Sequence, residues 1–187
     1  ASSLEQALRS PPLRAFNDLR LAQVYSFQAL EASSPAERAR FLALSSDRIE
    51  EARALEPAEA GYHQRAGLIY TYWMLALDPA KYGEAAEAFA DAAAASPNRV
   101  SIYNQWADME ARSRNFERAF ELLRHSLDVD PEWAPTYHYL SRVHAMAGQD
   151  SEADAALRRS VEVCATMWEG CLDFAEVLIS SGQADDA

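Results

Sequence analysis

Apolar side chains in this chain return every three to four residues, and no stretch long enough for a strand alternates apolar with polar residues. That spacing puts one apolar stripe on each of a series of helices, with the charged residues on the opposite face. Turn signals divide the series. Ser34-Pro35-Ala36-Glu37 offers an N-cap, a proline at the first helical position and a capping-box glutamate. It separates predicted helices over 13–32 and 35–55, while Pro11-Pro12 sets off a short leading helix over 3–9. The predicted fold class is all-α.

Laid against itself at an offset of 34, the chain repeats. Ala85, Ala119, Ala153 and Ala187 stand in one register; Phe89, Leu123 and Leu157 follow four residues after the first three, and Ala92, Ser126 and Ser160 seven after. Upstream, Ile69, Tyr103, Tyr137 and Cys171 align, as do Tyr72, Trp106, Leu140 and Phe174, and then Trp73, Ala107, Ser141 and Ala175. Pro97 and Pro131 close two units. Small residues recur where two helices would have to approach closely, and large ones recur on one helical face.

These positions resemble the tetratricopeptide repeat, a 34-residue helix-turn-helix unit with aromatic and aliphatic residues on helix A, small residues on both helices and a closing proline. The resemblance implies one α-solenoid domain over 1–187: irregular hairpins at 13–57 and 60–97, regular repeats at 100–133 and 134–167, and a partial repeat at 168–187. It also implies about ten helices in a right-handed superhelical stack, helix A lining the concave face. Ala165 stands where the second regular repeat would close on proline. The chain stops as the last helix B should begin, so either the native protein continues or the last helix A is a cap.

The early hairpins are longer than the repeat allows. Helix A of the unit from Ala60 has to extend to about Leu77 and turn through Asp78-Pro79-Ala80-Lys81-Tyr82-Gly83 for its helix B to fall in register. The apolar run 68–75 exceeds what one face buries in an ordinary unit. Either it packs beneath the first hairpin, the reading favoured here because inserted residues must be covered, or it forms a hydrophobic groove for an amphipathic helix.

Composition agrees with helices: 37 of 187 residues are alanine, and of 17 basic residues only Lys81 is lysine. A net charge of −12 repels phosphates and anionic lipid heads, which argues against nucleic-acid partners. The longest nearly apolar stretch, 67–77, is too short to span a bilayer, so no membrane-spanning segment is expected in this chain. Cys164 and Cys171 lack zinc-site spacing and read as two buried thiols, with a bridge as the alternative.

Catalysis needs a base, nucleophile or metal in a defined constellation, and the sequence supplies none. Of His63, His125, His138 and His144, no two form a helix-borne pair around a glutamate; no Gly-rich phosphate loop or nucleophile elbow is present. The expectation is a non-enzymatic scaffold without cofactor or metal. Trp73, Trp106, Tyr103, Tyr137 and Phe174 occupy packing positions of the family.

What the resemblance implies about binding lies on the concave helix A face. Carried over position by position, the partner-binding candidates are Gln64, Leu68 and Thr71; Asn104, Asp108 and Arg112; His138, Arg142 and Met146; and Leu172, Glu176 and Ile179. The expected partner is a protein or peptide segment in that groove. One subclass of the family clamps a terminal carboxylate with two Lys, two Asn and an Arg. Here Asn104 and Arg142 stand near such places, lysines do not, and Asp108 opposes the charge, so a chaperone co-factor role is not expected. The alanine-rich, acidic array with extended early hairpins is also similar to the soluble C-terminal domain of polytopic bacterial envelope proteins of the O-antigen ligase or polymerase type. In that alternative this chain would be joined to membrane-spanning segments upstream.

Overall fold

The structure, a computed structural model, describes residues 10–166. Among the described residues there are eight α-helices, one 3-10 turn and no strand. About ten helices were expected from the sequence; the leading one over 3–9 and the one from Trp168 lie outside the described residues. The chain divides into two compact units, Ala1–Pro97 and Asn98–Ala187.

The first unit holds α1 (Pro11–Glu31), α2 (Pro35–Leu55), α3 (Ala60–Ala76), a 3-10 turn (Pro79–Lys81) and α4 (Tyr82–Ala95). Helices pair with their chain neighbours: α1 packs along α2, and α3 along α4. At the α1–α2 crossing the fully buried Ala15, Ala22 and Ala29 let the backbones approach, and the Ser45 hydroxyl donates across it to the Ala22 carbonyl at 2.8 Å. At α2's start Ser34 Oγ accepts from the Glu37 N–H at 3.2 Å, while the Glu37 carboxylate turns to the Ser34 hydroxyl and not to its amide. The Asp78 carboxylate holds the α3–α4 turn by accepting from the Ala80 N–H at 3.0 Å. Lys81 leaves that turn to bond Glu84 at 2.6 Å with its ammonium 4.9 Å from the Trp73 ring centre.

The second unit holds α5 (Val100–Arg112), α6 (Phe116–Val129), α7 (Ala134–Met146) and α8 (Asp150–Thr166). Ala107, Ala111, Ala119, Leu122, Leu123 and Val143 form its core, with Tyr103, Trp106, Phe116, Phe120, Tyr139 and Leu140 packed around them. The alanines of the 34-residue register are therefore buried contacts: Ala85, Ala92, Ala107 and Ala119 are fully buried and Ala153 nearly so. Ala175 and Ala187 lie outside the described residues.

The repeat shows in the backbone as well. The α7–α8 turn places Gly148 at φ 75°, and Gln149 N–H donates to the His144 carbonyl at 2.9 Å. Thirty-four residues earlier, Arg114 takes φ 64°, and Asn115 N–H donates to the Glu110 carbonyl, also at 2.9 Å. Both turns are helix ends closed through a left-handed residue; one uses the residue suited to it and the other does not.

One expectation is corrected. Cys164 is disulfide-bonded and not a free thiol. Composition reports how often cysteines are buried, whereas bridging depends on whether two sulfurs come within reach. Cys171, the only other cysteine of the sequence, lies outside the described residues.

Candidate functional site

The first helices of the hairpins are α1 and α3 in the first unit and α5 and α7 in the second; the sequence-predicted binding residues within the described chain lie on α3, α5 and α7. In the second unit α5 and α7 pack on each other directly, and side chains close their seam. Asn104, 1% exposed, donates through Nδ2 to Thr136 Oγ1 at 3.0 Å. Asp108 receives Arg112 Nε at 2.7 Å from one turn away and Arg142 at 2.9 Å from α7. The Arg142 guanidinium also stands 5.8 Å from the Tyr139 ring centre.

His138 is 3% exposed in the same seam. Burial, and secondarily the Arg142 charge, push its pKa down to about 4 against the pull of Asp108, so the ring is neutral at pH 7. Burial likewise pushes the Tyr139 phenol upward, as does the Asp108 carboxylate. A neutral histidine and a phenol held protonated make poor acid-base partners, and Asp108 is held by ion pairs to Arg112 and Arg142.

The first unit is built differently: the backbones of α1 and α3 stand apart and a groove of about 350 Å³ lies between them. Phe27 and Leu30 form one wall, Leu68, Ile69 and Tyr72 the other, and Gln23, Ser26 and Arg65 add the polar groups. Phe27 is 65% and Leu30 55% exposed. The apolar run 68–75 thus divides. Ile69, Tyr70, Thr71 and Met74 are buried, Leu68 and Tyr72 are half-buried at the groove, and Leu75 is exposed.

Elsewhere in the first unit a polar hub ties three helices. From α2, Arg53 donates through Nε to His63 Nδ1 on α3 at 2.9 Å, through one terminal nitrogen to Glu50 at 2.7 Å and through the other to Asp91 on α4 at 2.8 Å. Since Nδ1 accepts, His63 donates from Nε2 to the Pro57 carbonyl at 2.8 Å. Tyr70 donates to Glu50 at 2.8 Å, and burial lifts its pKa to about 12. This constellation brings together a histidine, carboxylates and an arginine, yet every one of them is engaged in joining helices. Among the described residues no group of three or more His, Cys, Asp or Glu could hold a metal ion.

The sequence-predicted residues therefore fall into three sets. Gln64, Leu68, Asp108 and Arg142 are half-buried, and Arg112 and Met146 are exposed. Thr71, Asn104 and His138 are buried in packing, Thr71 with its hydroxyl bonded to the Gly67 carbonyl at 2.7 Å. Leu172, Glu176 and Ile179 lie outside the described residues. Sequence reasoning missed Arg65, Phe27 and Leu30. The signal for Arg65 was present: it is the only formal charge from Ala60 to Leu77.

The fold is that of tetratricopeptide-repeat proteins. No family profile and no curated protein matches the sequence. Among solved structures, the type IV pilus biogenesis factor PilW is similar over 98% of this chain and 79% of its own, at 21% identity and a TM-score of 0.62. TTC0263, a TPR protein of Thermus thermophilus, is similar over 88% of this chain and 99% of its own, at 16% identity and 0.61. MamA follows with 85% and 83% covered, 14% identity and 0.59. Identities this low carry the fold alone.

Proposed function

We propose that the chain is a non-catalytic scaffold that binds a segment of a partner protein through the helix A faces of its hairpins, the faces that the family resemblance makes concave. The observation that carries this reading is the placement of Gln64, Leu68, Asp108, Arg112 and Arg142, part-exposed on the first helices of successive hairpins. Side chains on rigid, repeated helices suit recognition better than chemistry, and the polar clusters among the described residues are spent on joining helices. No helix among the described residues is long and apolar enough to cross a membrane. None of the structures named above is of the O-antigen ligase type, and no observation favours that alternative over a general protein-binding role.

The test is cross-linking of the tagged chain in its native cells, followed by comparison of variants. Leu68→Gln and Arg112→Ala should reduce recovery of the principal partner, while Arg118→Ala and Glu121→Ala, on the second helix of a hairpin, should not. Loss confined to the latter pair would remove the helix A faces from the mechanism.

A further inference from the structure

Among the described residues, nine large apolar side chains are exposed, and five of them, Phe16, Leu21, Val24, Phe27 and Leu30, lie on α1. Exposure concentrated on one helix marks a surface built to be covered. The groove between α1 and α3 is continuous with that surface, because Phe27 and Leu30 belong to both.

Arg65 distinguishes this groove from a merely apolar one. Among the described residues it makes no hydrogen bond or ion pair, although it is half-buried; every other arginine there without a partner is exposed. Removing a guanidinium from water without a counter-charge costs free energy, and its pKa is lowered by that burial with no anion acting against it. In the second unit an arginine lying between the first helices does meet a counter-charge: Arg142 on α7 stands 2.9 Å from Asp108 on α5. In the first unit the arginine is present, the carboxylate is not, and the space between the helices is open. Gln23, on the opposite wall, accepts from Arg20 through Oε1 at 3.3 Å, and its amide N–H groups remain available to a ligand oxygen.

We infer that the α1–α3 groove receives an apolar segment of a partner protein that carries a carboxylate, the carboxylate pairing with Arg65 and the apolar side chains lying between Phe27, Leu30, Leu68 and Tyr72. The lining residues run seven positions along each helix, about 10 Å, so two turns of helix or three extended residues fill the groove. A charge-assisted pair formed in a largely apolar cleft gives the directional contact, and the apolar walls supply the area. This assignment rests on the scaffold reading and narrows it to one groove and one kind of segment.

The test is selection of random dodecapeptides displayed on phage against the purified full chain, with each enriched peptide then synthesised, labelled and titrated by fluorescence anisotropy. Enriched peptides should combine leucine-like residues with Asp or Glu. Replacing that acid by its amide should weaken binding about tenfold or more, as should Arg65→Gln in the protein, with Arg65→Lys intermediate. Phe27→Gln, at a solvent-facing position, should weaken acidic and neutral peptides alike. Melting curves of Arg65→Gln should match the parent or shift upward, since no partner is lost and an uncompensated charge is removed. Peptides without an acid, or equal affinity for parent and Arg65→Gln, would overturn the assignment. Binding that instead depends on Arg142 would overturn the groove while leaving the scaffold reading intact, and no enrichment at all would count against both. Concentration-dependent sedimentation abolished by Phe27→Gln would make the occupant a second copy of the chain, and the partner-segment proposal would fall.

Discussion

Gly67 on α3 lies against the ring of Phe89 on α4 so closely that a β-carbon on Gly67 would stand 2.9 Å from three ring carbons. Phe89 is fully buried and cannot swing away without displacing the α3–α4 core. Gly67→Ala should therefore destabilise the first unit by about 1–3 kcal/mol, although alanine is the better helix former by about 0.5–1 kcal/mol. Gly83, within α4, faces open space and is the control: Gly83→Ala should leave the chemical-denaturation midpoint unchanged or raise it. Equal effects of the two substitutions would refute the close crossing.

Arg114 occupies the left-handed position that Gly148 fills one repeat later. A side chain there costs about 1–2 kcal/mol, so Arg114→Gly should raise the melting temperature despite shortening a surface residue to nothing. Gly148→Arg should lower it by a similar amount. A melting temperature that falls in Arg114→Gly would show that the arginine side chain contributes more than the backbone strain removes.

Arg53 bonds three groups on three helices, and its side chain is 16% exposed, whereas those of Glu50 and Asp91 are nearly half exposed. Solvent screens the carboxylates, so Arg53→Ala should cost only about 1–2 kcal/mol. In a double-mutant cycle Arg53→Ala and Asp91→Ala should couple by about 0.5–1 kcal/mol. Strictly additive effects, read from urea unfolding, would make the contact incidental.

His138 predicts a pH dependence with a definite sign. Its folded pKa near 4 lies below the ordinary value of 6.5, so between these the unfolded chain binds more protons than the folded one. Stability from this group is complete above about pH 6.5 and is lost as pH falls toward 4. His138→Phe should flatten the urea midpoint's dependence on pH across that window, and an NMR titration should show the His138 ring uncharged at about pH 5.5. An unchanged slope in the variant would place the titration elsewhere.

Helix identity and hairpin order were legible because burial of one stripe per helix imposes a period that a single sequence displays. The Pro35–Leu55 helix starts at its proline because cap, proline and acid all act within one turn. Binding residues were less legible. Asn104 and His138 have the polarity of surface residues, yet each is buried, Asn104 by a bond to Thr136 thirty-two residues away. Periodicity assigns a face to a residue but says nothing of how tightly two helices close over it. The difference between the closed α5–α7 seam and the open α1–α3 groove depends on how far the early helices splay, a tertiary quantity. Only the solitary charge of Arg65 within an uncharged run hinted at it.

The pairing of each helix with its chain neighbour sets how the chain reaches this structure. Contacts such as Ser45 to Ala22 close over a single short turn, so hairpins can form with little loss of loop entropy and rapid folding follows. Among the ties between hairpins, Arg53 to Asp91 joins residues thirty-eight apart, and closures of that length belong to a later stage. Weakening them should then hasten the chain's opening far more than it slows its closing, which makes lifetime, more than folding speed, the property that the inter-hairpin polar contacts govern.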